Sequence, residues 1–511
     1  MRITLAAFVL FQTAIGHAAP DPLFDGAASP SNAPVFFAGD RVQAGAQLER
    51  AKPTSAASTR FSGGYLGLFP ESAFDLTTGR CKGCRAPREG QWYFQDEVIA
   101  VPKSGSPAIV WVGSNVLLEG VRLSGDGRFI TLKDGTRMPL SLVPKIASNR
   151  SYFDVSSVAY MSGRTIRLRG EIIEENGVKR FIARTIWPED FRVDFGMPLK
   201  PLDYGETLTS LVKENDGGAK EPFTTRLLWA KPGADRDWGG KPVCGVMLNG
   251  AQGDDDETHA GHFSLGTGRL GHSGEISDWL FANFYDMDLV SEKGILPAPV
   301  PMDKYLADLN SGQNYYRPTY VLAAVLKDER TAVKIQEEFR AFYPLYYAHE
   351  VKYDRVTMSC AGLIIDNMRK AGWNVPQNGP DNPVTAGTLA LLTFIGTRDK
   401  SAAKSILDMA AQDQTRLFPS VAFEKTGGDL LNLVGDQGAT PRAELMPFER
   451  MLQEDLVALI LVRVPQIPSS RKWGQAPVGS VGEYFLRAPL LHSQWQTNPN
   501  ASRPYPPPHD E

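Results

Sequence analysis

The sequence predicts an α+β protein built from several units, and three observations carry that expectation. From about residue 61 to 200, short apolar runs alternate with turn residues, which is strand and hairpin patterning. From about 201 to 380, strand-like and helix-like stretches are mixed, and from about 381 to 490 helical periodicity dominates. A chain of 511 residues also has room for two or three domains, at roughly 100–200 residues each.

The chain opens with Met1-Arg2 and an apolar run over residues 3–15, then Gly16-His17-Ala18. Small residues at 16 and 18 suit a signal peptidase, so residues 1–18 are expected to be a cleaved leader. Residues 19–60, rich in Ala, Ser, Pro and Gly, read as a flexible lead-in, and 491–511 as a disordered tail ending in Tyr505-Pro506-Pro507-Pro508. No later run is apolar for long enough to cross a bilayer, so no transmembrane anchor is expected. The expected location is periplasmic or secreted. A net charge of −4 gives no general attraction to nucleic acid or anionic lipid.

The β-rich unit, 61–200, rests on Trp92-Tyr93-Phe94, residues 108–112, residues 129–132 and a hairpin signal at Asp134-Gly135. Its clearest hairpin pairs 165–173 with 180–187 across Asn176-Gly177, a dipeptide that accepts the positive φ of a tight turn. A small, barrel-like β-domain is expected. Cys81-Lys82-Gly83-Cys84 within it lacks the partners of a zinc site, and a local disulfide is the plainer expectation in an oxidising compartment. In the C-terminal part, residues 386–394 and 451–462 are the best helices, the second stopping before Pro465. That region, 381–490, is expected to be a helical cap or packing domain with no visible chemistry.

The stretch over residues 358–372 reads as one complete short helix. Thr357 or Ser359 supplies an N-cap oxygen, Arg369 and Lys370 occupy the last turn, and Gly372 suits a left-handed C-cap. Cys360, Leu363, Ile364, Met368 and Ala371 share one face. Cys360 therefore sits in the first turn, where free N–H groups favour a thiolate. A nucleophile needs that position, and an ordinary core cysteine also fits it.

Seven histidines exist, and three fall in one window, His259, His262 and His272, after the acidic run Asp254-Asp255-Asp256-Glu257. On a strand, His259, Phe263 and Leu265 lie on one side, and His262 and Ser264 on the other. The first side is more apolar and is expected to meet the Cys360 helix, which favours His259 as the thiol's partner, with His262 second. A catalytic imidazole needs a third group to hold its tautomer, and His272, Asn283 or Asp286 are the candidates, with His272 preferred.

The order of these residues, a strand His, a polar residue further on, then a Cys opening a helix, resembles the circularly permuted NlpC-like branch of the papain fold, which includes lecithin retinol acyltransferase. His259-Ala260-Gly261-His262-Phe263-Ser264-Leu265-Gly266 is similar to the His strand of that branch, and Ser359-Cys360-Ala361-Gly362-Leu363-Ile364 to its nucleophile helix. The likeness covers about 240–375 and departs from the pattern in the long stretch between His272 and Cys360. It implies a permuted papain-like catalytic domain over 201–380 and a cysteine hydrolase, an amidase or peptidase or else an acyltransferase, with no cofactor. Its implied catalytic residues are Cys360, His259 and His272. Its implied substrates are peptidoglycan peptides or lipid acyl bonds.

Three other readings compete. Cys360 pairs with Cys244 in a disulfide, which would abolish the nucleophile. His259 and His262, with the acidic run, form a metal site, although a His-x-x-His on a strand points its rings to opposite faces. Or the chain is a non-catalytic envelope protein that keeps the fold as a binding or scaffold module.

Overall fold

The computed structural model describes residues 74–75, 80–81, 91–94, 97–100, 116–143, 153–251, 260–285, 299–309, 312–347, 350–351, 353, 358–379, 386–388, 390–391, 394–395, 398–435, 444–480 and 483. The leader, the lead-in, the tail, residues 108–112, Cys84 and the acidic run through His259 lie outside them, as does Asp286. The chain is an α+β protein, and no helix among the described residues is long and apolar enough to cross a membrane.

Two short antiparallel hairpins come first: β1 (Phe74–Asp75) with β2 (Arg80–Cys81), and β3 (Gln91–Phe94) with β4 (Glu97–Ala100). A closed barrel follows, made of β5 (Val116–Leu123), β6 (Phe129–Thr131), β7 (Arg137–Leu142), β8 (Thr165–Glu175) and β9 (Val178–Pro188), in the order β5-β6-β7-β9-β8. Helix α1 (Val155–Ser162), capped by Asp154, carries the chain between β7 and β8. This crossover lets β9 pair parallel with β7 and close the barrel. Val121, Ile130, Ile166, Leu168 and Phe181 fill its interior. The β8–β9 hairpin turns where the sequence predicts, with Asn176 at φ 53° and Gly177 at φ 77°, the left-handed pair a two-residue turn requires.

The second layer is a seven-stranded antiparallel sheet in the order β10-β16-β15-β11-β12-β13-β14. Its strands are β10 (Thr224–Ala230), β11 (Pro242–Asn249), β12 (His262–Arg269), β13 (Leu280–Ala282), β14 (Pro299–Pro301), β15 (Thr319–Leu326) and β16 (Leu456–Val464). Along β11 and β15 every residue is buried, because both faces of the sheet are covered. Helices α4 (Arg330–Tyr347), α5 (Cys360–Lys370) and α7 (Pro419–Leu433) cover one face, the side of Leu322 and Thr267, after the short α2 (Leu208–Lys213) and α3 (Met302–Ala307). Helix α6 (Lys400–Gln412) lies between α5 and α7 in the chain, and α8 (Pro447–Asp455) leads into β16. The opposite face meets α3, whose Tyr305 donates to Asn249.

Residues 451–462, expected as one helix, divide: α8 ends at Asp455 and the apolar run Leu456–Val464 is the strand β16, seated between β10 and β15. A continuous apolar run fits a strand buried on both faces as well as a buried helix, and the vacant sheet position decides. The region 381–490 is therefore no separate cap: β16 completes the central sheet, and α7 packs on β11 and β12.

Barrel and sheet are joined by buried ion pairs. Arg169 donates through Nε to Asp303 at 2.6 Å and through Nη2 to Asp278 at 2.7 Å. Arg167 reaches Asp278 and Ser277, and Arg184 pairs with Asp308 at 2.8 Å. These carboxylates flank or sit on α3, so the barrel holds that helix against the sheet.

Candidate active site

The sequence-predicted cysteine helix forms almost as expected. Ser359 is the N-cap, its Oγ accepting from Gly362 N at 3.5 Å, and Cys360 is the first helical residue. Arg369 and Lys370 fill the last turn, and Gly372 takes φ 95°. Ion pairs Arg369–Asp413 at 2.6 Å and Arg416–Asp366 at 2.7 Å tie the helix to the segment after α6. Cys360 is buried, and the backbone N–H groups of Phe263 and Ala361 favour its thiolate.

Phe263 follows His262, the first residue of β12. The β12–β13 ladder runs only from Leu265 to Thr267, so Phe263 lies beyond its end. Phe263 and Leu265 do share the side covered by the helices, and His262 and Ser264 the other, as the alternation predicts. The thiol is on the first residue of α5, and the strand residue that acts on it is Phe263, the neighbour of His262 in sequence. His259 lies outside the described residues, and His262 is the described histidine of this strand.

His262 is buried, with Nε2 3.1 Å from Asn283 Oδ1. Asn283 Nδ2 points to Phe281 O at 3.4 Å, which orients the amide oxygen toward the ring. An amide oxygen only accepts, so Nε2 carries the proton and Nδ1 keeps its lone pair. The ring stacks on Tyr285, with centroids 4.5 Å apart and planes 10° from parallel. From α4, Tyr343 donates to Asn283 O at 3.1 Å and Tyr346 to Tyr285 O, so the Asn283–Tyr285 segment is pinned through its backbone.

Across the sheet, His262 stands opposite Asn249, and Asn249 opposite Thr319. Asn249 Nδ2 donates to Thr319 Oγ1 at 2.8 Å, and Thr319 donates to Asn314 Oδ1 at 2.7 Å. Tyr305 of α3 donates to Asn249 Oδ1 at 2.7 Å, so in its 2.7 Å contact with Tyr285 it must accept. The polar chain thus has one direction, from Tyr285 through Tyr305 and Asn249 to Asn314.

Burial pushes the Cys360 thiol up; the Phe263 and Ala361 N–H groups and the Arg317 guanidinium oppose the rise without cancelling it. Burial, then Arg317, pushes His262 down to about 3, against a smaller opposing pull from Asn283. At neutral pH Cys360 is therefore a thiol and His262 a neutral imidazole.

Of the three candidates for the third position, Asn283 is the one that meets His262, and His272 is not brought to it. His272 lies on an exposed turn beyond the far end of β12, beside Gly239 and Gly240. At about 3.3 Å per residue the strand alone separates it from His262 by roughly 23 Å. The Cys244–Cys360 disulfide does not form: both cysteines are free. Cys244 pairs with Thr267 and Ala324 in mid-sheet, and burial pushes its thiol up to about 12. No group of three metal-ligating side chains occurs among the described residues. Tyr285, Tyr305 and Arg317 were not foreseen, because nothing local in the sequence marks residues that meet only when three strands and α3 assemble.

No family model, curated protein or solved structure matches the chain.

Proposed function

We propose that the chain is an exported cysteine hydrolase of the permuted papain-like kind, acting on amide or ester carbonyls such as those of cell-wall peptides or lipid acyl groups. Cys360 is the nucleophile, His262 the base and acid, and Asn283 the residue that orients the ring. The observation that carries this reading is the His262–Asn283 hydrogen bond, one residue away from Phe263, whose backbone N–H favours the Cys360 thiolate.

In the proposed reaction the Cys360 sulfur attacks the carbonyl carbon while its proton passes to His262 Nδ1. The carbonyl oxygen gains the negative charge, and the N–H groups opening α5 lie where they would receive it. His262 then returns the proton to the leaving amine or alcohol, and water, deprotonated by the same nitrogen, releases the acyl group from sulfur. The two hairpins and the barrel would present or exclude substrate. Burial and the raised thiol favour one rival, an envelope scaffold whose Cys360 is inert.

Iodoacetamide labelling of native protein across pH, read by peptide mass spectrometry, separates the two. The hydrolase reading expects Cys360 to label and His262→Ala to slow labelling, with His272→Ala equal to wild type. A Cys360 that stays unlabelled until the protein unfolds refutes the hydrolase and leaves the scaffold.

A further inference from the structure

Arg317 is 1% exposed, and among the described residues no carboxylate pairs with it. Its Nη1 donates to Gly250 O at 3.1 Å and its Nη2 to Gln313 Oε1 at 2.6 Å, while Nε has no partner. Both acceptors are neutral. A buried cation met only by neutral dipoles is costly, so a buried guanidinium is ordinarily matched by an anion. The barrel arginines of this same protein are matched in that way, by Asp278, Asp303 and Asp308.

Its position suggests which anion is missing. Thr319, Asn249 and His262 form one row across β15, β11 and β12. Arg317 lies two residues before Thr319, and its acceptor Gly250 directly follows Asn249, so the guanidinium is at the sheet end where His262 begins its strand. Gly474 permits the approach: a Cβ there would fall 2.5 Å from Arg317 Cα. The ionisable groups that act on the Cys360 sulfur are Tyr285 beyond β13, Tyr305 from α3 and Arg317 before β15, and Arg317 acts on His262 of β12 as well. Of these, Arg317 alone is a permanent charge. Asp366, on the Cys360 helix itself, is taken by Arg416.

We propose that Arg317 is the resident counter-cation of the candidate active site, stabilising negative charge on the Cys360 sulfur as that sulfur gives up its proton. The inference rests on the cysteine-hydrolase reading of the site. Arg317 touches no reacting atom, so it acts through its field. The same charge disfavours imidazolium at His262, which keeps Nδ1 unprotonated at rest and makes the returned proton easier to release to a leaving group.

The experiment is a pair of site-specific titrations on the whole chain. Iodoacetamide alkylation follows Cys360, and deuterium exchange at the histidine ring carbon, read by mass spectrometry, follows His262. Arg317→Met removes the charge and leaves no orphaned carboxylate, so it is expected to fold. Arg317→Gln, which keeps a donor for Gly250, is the second charge-free variant. Arg317→Lys restores charge. Loss of a nearby cation raises the Cys360 midpoint by about one unit, roughly a tenfold loss of thiolate at a fixed pH below it. It raises the His262 midpoint as well, and Lys reverses both. Loosening of the site also raises His262, but exposure to water lowers Cys360, so the thiol's direction separates the causes. A Cys360 midpoint unmoved or lowered in Arg317→Met, or in Arg317→Gln if the first is unfolded, overturns the proposal. Failure of the hydrolase reading looks different: Cys360 alkylation would then be indifferent to His262→Ala, whatever Arg317 does.

Discussion

Asp303→Ala is expected to loosen the junction between barrel and sheet and to carry that damage into the candidate site. Asp303 is wholly buried and accepts from Arg169 Nε at 2.6 Å and from Lys304 N at 2.8 Å, with Arg167 Nε at 3.4 Å. Removing one partner from a buried ion pair costs about 3–5 kcal/mol, because the other charge is left without compensation. Here Asp278 still serves both arginines, through Arg169 Nη2 at 2.7 Å and Arg167 Nη1 at 2.9 Å. The loss therefore belongs at the low end, about 3 kcal/mol. Asp303 is also two residues from Tyr305, whose hydroxyl holds Asn249 opposite His262. Urea denaturation followed by fluorescence of the buried Trp187, Trp238, Trp279 and Trp373 measures the stability change. Cys360 alkylation in native buffer measures the effect on the site. A stability change under about 1 kcal/mol would refute the argument that this buried carboxylate bears the junction.

The remaining expectations are separate. Asn283→Ala frees the His262 ring from its 3.1 Å partner, and the loss of one buried hydrogen bond should slow His262-dependent labelling of Cys360 on the order of tenfold. Under the same conditions Cys244, in mid-sheet with its thiol pushed up to about 12, should stay unlabelled, so the intact mass should show no label there. His262 titrates near 3 folded, against roughly 6.5 unfolded, so between those values the unfolded chain binds the proton and the folded chain does not. Its contribution is complete above about 6.5 and lost as pH falls toward 3, at up to about 1.4 kcal/mol per pH unit. His262→Gln should accordingly flatten the acid limb of the stability–pH curve, and an unchanged limb would contradict the burial argument. Gly170→Ala would drive a Cβ to 2.0 Å from Ile182 O, backbone that cannot swing aside, and should destabilise the barrel by about 1–3 kcal/mol in the same urea assay.

The sequence by itself determined the features whose causes lie within one turn of chain. The Ser359 cap, the basic last turn and Gly372 define α5, and Asn176-Gly177 defines the β8–β9 hairpin, because caps and tight turns are satisfied by neighbours a few residues apart. Strand alternation likewise separated the face of Phe263 from that of His262. Tertiary structure decided the rest. The run Leu456–Val464 is apolar throughout and suits a buried helix or a strand covered on both faces, and the open position between β10 and β15 selected the strand. That His262 takes Asn283 as its partner depended on how β12 and the segment after β13 assemble, which no periodicity reports. Asn283, Tyr305 and Arg317 come from three other segments, and among the described residues Arg317 is buried with no carboxylate beside it, which only packing could arrange.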